Sequence, residues 1–219
     1  MQNKILSLAI TGVIALNTTS FSIAATTNEV AQTQPPGAAD AAYTRILEKR
    51  VVDILAVLEL KDAMKMEKVH DLLVAQYRTL NDWHNDNDAK RKVASGEEAV
   101  ELKALLQTIH DKFIAGLSAE LTPEQVEQVK DKMTYGKVQF TYAGYLAAYP
   151  DLKEEHKQKV LEFLKQAREE AVDGGSSDEK SAIFSRYKGK INNYLSSQGV
   201  SDPKKKKAVP VSTNSPVAH

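Results

Sequence analysis

Apolar residues recur along this chain at steps of three and four, the period of one face of a helix. Tyr43, Leu47, Val51, Ile54 and Leu58 form the first such stripe. Met66, Val69, Leu73, Gln76, Leu80 and Trp83 form a second, with one polar member. A third runs through Leu102, Leu106, Ile109, Phe113 and Leu117. Val160, Leu164, Ala167 and Ala171 make a fourth, and Ile183 or Phe184, Tyr187, Ile191 and Tyr194 a fifth. A helix with a single apolar stripe must bury it against a neighbour. The pattern therefore predicts an all-α, single-domain bundle of about six or seven helices over residues 40–199.

Boundary signals agree with this reading. Thr122-Pro123-Glu124-Gln125 is a capping box with proline at the first helical position. Asp151 and Glu154 repeat the spacing after Pro150, and Ser176 and Glu179 repeat it after Gly174-Gly175. That glycine pair suits the left-handed end of a preceding helix. Between residues 136 and 150 two periods compete. Val138, Phe140 and Tyr142 alternate as in a strand, whereas Tyr142, Tyr145, Leu146 and Tyr149 are spaced as in a helix. A lone short strand has no partner elsewhere in the chain, so a helix is expected there.

The ends carry other signals. Residues 1–25 hold one cation, Lys4, an apolar run over residues 5–16, and small residues ending in Ala24-Ala25. This is the grammar of a secretory signal peptide, and the run is shorter than the about 20 residues of a membrane span. The mature chain is thus expected in the periplasm or outside the cell, with no membrane span left after cleavage. Residues 26–39, rich in Thr, Gln, Ala and Pro, read as a flexible linker. Pro203 and four consecutive lysines, Lys204 to Lys207, open a tail over residues 200–219. Such a run is a solvated segment or a contact for anionic envelope polymers.

Composition narrows the chemistry. Lysine and arginine number 29 against 29 acidic residues, which argues against a nucleic-acid partner. The absence of cysteine removes disulfide scaffolds, thiolate metal sites and cysteine nucleophiles. Glu67 and His70 match half of a carboxylate-bridged di-iron pattern, but no second Glu-x-x-His follows, so no metal or cofactor is expected. Gly174-Gly175-Ser176-Ser177 lacks the spacing of a nucleophile elbow. It reads as a helix-to-helix turn, with anion binding on free backbone N–H groups as the alternative. No phosphate loop is present, and chance carboxylate pairs are expected in so acidic a chain. The sequence points away from an enzyme.

Aromatic residues supply the strongest local feature. Of eight tyrosines, Tyr135, Tyr142, Tyr145 and Tyr149 fall within fifteen residues. Tyr187 and Tyr194 lie beside Arg186, Lys188, Lys190, Asn192 and Asn193. Flat apolar rings with polar tips, among amide side chains, suit a polar ring-shaped ligand such as a sugar. The same rings at helical spacing also fit a packed core with bonded hydroxyls.

Four segments carry a resemblance. Met133-Thr134-Tyr135-Gly136, Tyr142-Ala143-Gly144-Tyr145, the stretch from Ala167 to Ser177, and the stretch from Tyr187 to Leu195 resemble an uncharacterised family of secreted bacterial proteins. Its members come chiefly from Bacteroidetes and Planctomycetes and are described as sugar-binding. The likeness extends back to about Arg45. It implies a non-enzymatic, exported carbohydrate-binding protein whose partner is an oligosaccharide or other glycan. On that reading Tyr135, Tyr142, Tyr145 and Tyr194 stack on or flank sugar rings, while Arg168, Asp173, Asn192 and Asn193 bond hydroxyls. Leu121-Thr122-Pro123-Glu124-Gln125 is similar to an element of small periplasmic helical chaperones, which keeps a chaperone or scaffold role as an alternative. A glycan-acting hydrolase is a third reading, and requires acidic side chains facing each other in a cleft beside the tyrosines.

Overall fold

A computed structural model describes residues 38–200. The expected leader, the linker up to residue 37 and the lysine-rich tail from residue 201 lie outside the described residues. Seven helices follow one another: α1 (Ala38–Leu58), α2 (Ala63–Arg91), α3 (Gly96–Glu120), α4 (Pro123–Met133), α5 (Lys137–Ala148), α6 (Glu154–Val172) and α7 (Ser177–Ser197). The fold is all-α, as the periodicity predicts, and no strand occurs among the described residues. The ambiguous stretch after Gly136 is helix α5. None of these helices is long and apolar enough to cross a membrane.

The stripes become two hydrophobic clusters. In the first, Leu47, Val51, Ile54 and Leu58 of α1 meet Val69 and Leu73 of α2, Phe113 and Leu117 of α3, and Val126, Val129 and Met133 of α4. In the second, Val138 and Tyr145 of α5 meet Val160, Leu164, Ala167 and Ala171 of α6 and Ile183, Phe184, Tyr187, Ile191 and Leu195 of α7. Each fully buried Leu, Val, Ile or Phe side chain contributes about 1.5–3 kcal/mol, so the stripes suffice to order their helices. Met66, placed on the second stripe by spacing, is instead 41% exposed, because α2 has only just begun there.

Helices α4 and α6 pack together and join the clusters. Their seam is polar. The Arg168 guanidinium donates to Asp131 Oδ1 at 2.7 Å, to Glu127 and to Glu169 at 3.3 Å, and Lys130 reaches Glu169 at 2.8 Å. Val172, at the end of α6, belongs to the first cluster and pins the seam from its apolar side.

Turn chemistry corrects three expectations. Thr122 and Gln125 form the capping box as predicted, with both reciprocal bonds present. The Asp151–Glu154 pair does not cap α6: its N-cap is Lys153, without a side-chain bond. At the third box, Ser176 Oγ accepts from Glu179 N, but the Glu179 carboxylate reaches Gly175 N rather than the cap residue. Gly174 and Gly175 are not left-handed either; among the described residues the glycines with positive φ are Gly96, Gly136 and Gly199. What Gly175 supplies is smallness, since a Cβ there would lie 2.6 Å from the His84 ring.

Candidate functional site

Helices α1, α2 and α4 and the α6–α7 turn enclose a groove of about 790 Å³. That volume is within the range of small-molecule sites. Tyr43 and Arg50 come from α1, Tyr77 and Asn81 from α2, Gln128 and Asp131 from α4, Tyr135 from the α4–α5 turn, and Lys180 from α7. Three tyrosine rings, two amides and three cations, with Lys132 of α4 the third, therefore share one concavity.

Tyr135 is placed there by the way α4 ends. Gly136 N donates to the Asp131 carbonyl at 2.8 Å and Tyr135 N to the Lys132 carbonyl at 3.1 Å. This is the crossed bonding of a Schellman ending, in which the residue after the cap is left-handed and usually glycine. Here that residue is Tyr135, at φ 60°, followed by Gly136 at φ 63°. A residue with a Cβ loses about 1–2 kcal/mol in that conformation. The ring is turned out of the bundle and stands 52% exposed at the groove.

The other two rings are fixed. Tyr43 OH donates to the Tyr77 carbonyl at 3.1 Å. The Arg50 guanidinium lies over the Tyr77 ring, 5.9 Å from its centroid. Burial pushes the Tyr77 phenol up to about 12, against the opposing pull of Arg50, so it stays neutral and able both to donate and to accept. Burial raises Tyr43 as well.

Lys180 is unusual for a lysine, at 5% exposed. Its Nζ donates to the Val172 carbonyl at 3.1 Å. Burial lowers its amine to about 8; Arg50 adds to the effect, and the Asp173 and Glu179 carboxylates oppose it. Asp131, which also lines the groove, is committed: Oδ1 accepts from Arg168 and Oδ2 from the Gln139 amide at 2.7 Å. A carboxylate so held is a structural partner rather than a proton donor. The facing acid pair that the hydrolase reading requires therefore has one member already taken.

Behind the α6–α7 turn lies a second hollow, of about 580 Å³, lined by Trp83, His110 and Asp173 among others. His110 Nδ1 is 2.8 Å from Asp173 Oδ2, and this bond raises the imidazole above its ordinary value, with burial opposing. The Asp173 carbonyl accepts from His84 Nε2 at 2.7 Å. These bonds tie α2 and α3 to the turn that shapes the groove. His84, Asp88 and Glu179 lie close enough to share a metal ion. The Arg91 guanidinium already bridges the two carboxylates, at 2.8 Å from Asp88 and 3.0 Å from Glu179, and lies 3.3 Å from His84. A cation thus occupies the place where a metal would sit, and the residues do not fit a metal centre.

The eight residues singled out in the sequence do not converge. Tyr135 lines the groove and Asp173 the second hollow. Arg168 is buried in the α4–α6 seam. Tyr145 is buried in the second cluster, its OH 2.9 Å from Asn192 Oδ1 and 3.2 Å from the Lys188 carbonyl. Tyr142 and Tyr194 pack against the same cluster, Tyr194 OH lying 2.9 Å from His156 Nδ1. Asn193 is exposed on α7. Spacing alone does not single out Arg50, Tyr77 or Asn81, and it puts Tyr43 on the apolar stripe of α1. One signal was available for Lys180, which falls three and four residues before Ile183 and Phe184 and so sits on the buried face of its helix.

Fold and site together define a small helical domain with a polar, aromatic-lined groove. Residues 44–210, more than half of the chain, match the family described as Protein of unknown function (DUF3826), and the chain belongs to it. No curated protein matches the chain. Two of the four segments that carry the resemblance, Met133 to Gly136 and the Gly174 to Ser177 end of another, meet at the groove.

Proposed function

We propose that this protein is an exported, non-enzymatic carbohydrate-binding protein of the cell envelope, and that the α1–α2–α4 groove is its binding site. The observation that carries the reading is Tyr135, an aromatic ring held in a left-handed conformation and exposed beside Tyr43 and Tyr77. Strain of that kind persists where the surrounding structure enforces it, and it clusters at ligand sites. An exposed ring stacks on the apolar face of a sugar, while Asn81 and Gln128 supply donor and acceptor pairs for its hydroxyls. Export rests on the leader pattern of residues 1–25, and sugar binding on the exposed ring and the amide side chains of the groove. The site therefore lies on the first cluster rather than among the tyrosines of α5 and α7.

Calorimetric titration with a panel of plant and host oligosaccharides tests this. At least one member is expected to bind, and Tyr135→Ala is expected to weaken it about 3- to 10-fold, the equivalent of an aromatic contact of about 0.5–1.5 kcal/mol. Absence of heat with every member defeats the proposal.

A further inference from the structure

Three cations line the groove; Lys132 is exposed, and Lys180 and Arg50 make no ion pair among the described residues. Lys180, buried beneath it, gives one hydrogen bond to a backbone carbonyl and has no carboxylate within ion-pair distance among the described residues. Arg50, from α1, is held over the Tyr77 ring and likewise has no carboxylate partner there. An unpaired buried ammonium is costly, and an anion placed beside it would offset the cost. The Asp173 and Glu179 carboxylates act on Lys180 only from beyond ion-pair distance, and each is bonded elsewhere, to His110 and to Arg91. Asp131 has both oxygens engaged, and Asp53, the other carboxylate of the lining, is exposed.

We infer that the groove takes an acidic glycan, whose carboxylate or sulfate ester sits between Arg50 and Lys180 while its sugar ring lies against Tyr135. The inference deepens the carbohydrate reading and rests on it. Both anions share the chemistry that the site recognises, a negatively charged group with several acceptor oxygens. Arginine offers a planar fork to such a group, and lysine a point charge.

The test is titration of the full chain with three probes: an oligogalacturonate, a sulfated galactose oligosaccharide, and a neutral galactose oligosaccharide of the same length. At least one acidic probe is expected to bind ten or more times tighter than the neutral one. Arg50→Gln and Lys180→Met are each expected to weaken that probe five-fold or more, and by a larger factor than they weaken the neutral probe. Arg50 is exposed, so its replacement leaves the core intact should the Lys180 variant fail to fold. Equal or tighter binding of the neutral probe, or variants that leave acidic binding unchanged, overturns the inference and spares the carbohydrate reading. Inorganic sulfate separates the opposite case. If it binds in an Arg50-dependent way and no glycan does, the anion site stands and the carbohydrate reading falls.

Discussion

In the first cluster the tyrosines stand at the rim, and in the second they lie inside. Around α1, α2 and α4 the interior is leucine and valine, with Tyr43 and Tyr77 half-buried at the edge and Tyr135 turned outward. Around α5, α6 and α7, Tyr145 and Tyr187 are buried, and the hydroxyls of Tyr145 and Tyr194 are bonded to neighbours in the same cluster. Tyr135 apart, the tyrosines that crowd together along the chain therefore lie where rings pack into or against a core. The accessible rings come from three separate elements that the chain brings together only on folding. A tyrosine is useful to a ligand when its hydroxyl and one face are left over after packing, and spacing does not report that.

The largest test of the comparison is whether the two clusters melt as one. Leu73→Ala and Leu164→Ala, one in each cluster, are expected to cost about 2–5 kcal/mol apiece. Because Val172 crosses into the first cluster, both should lower a single urea transition seen alike by helical circular dichroism and by the fluorescence of Trp83. If Leu164→Ala shifts the dichroism and leaves the Trp83 transition in place, the clusters are independent units.

The seam gives a smaller effect. Arg168→Met keeps the volume and removes the cation shared by Asp131, Glu127 and Glu169. Those carboxylates retain some solvent, so a loss of about 1–3 kcal/mol is expected rather than the full cost of a buried unpaired charge. Urea midpoints measure it. An unchanged midpoint would mean that the clusters are joined by Val172 and its neighbours alone.

Smallest in energy, but sharpest in discrimination, is a pair of tyrosine replacements. Tyr145→Phe removes a buried hydroxyl bonded to Asn192, and should cost about 1 kcal/mol without touching ligand affinity. Tyr135→Gly relieves a left-handed Cβ, and should raise stability by up to about 1 kcal/mol while weakening ligand binding. Thermal melts and titrations on both variants separate the roles. Opposite results would exchange the functions of the two clusters.

Much of the fold was legible because it depends on local periodicity. The α1 stripe from Leu47 to Leu58 and the α6 stripe from Val160 to Ala171 are buried as their spacing demands, and the Thr122 capping box forms as its residues specify. The glycine pair shows the limit of that logic. Gly174-Gly175 reads as a left-handed helix ending, yet its role is to admit the His84 ring from α2, a long-range fact with no local signature.

Local patterning was enough to specify the helices, most of their faces and the all-α class, because those follow from which side chains shun water at a period of 3.6 residues. Tertiary structure alone decided the site. Tyr43, Tyr77, Tyr135 and Lys180 span more than a hundred positions and become neighbours only when α1, α2, α4 and α7 have packed. Packing also decides which polar groups keep a free valence, since a hydroxyl or ammonium is spent or spare according to partners that lie far away along the chain.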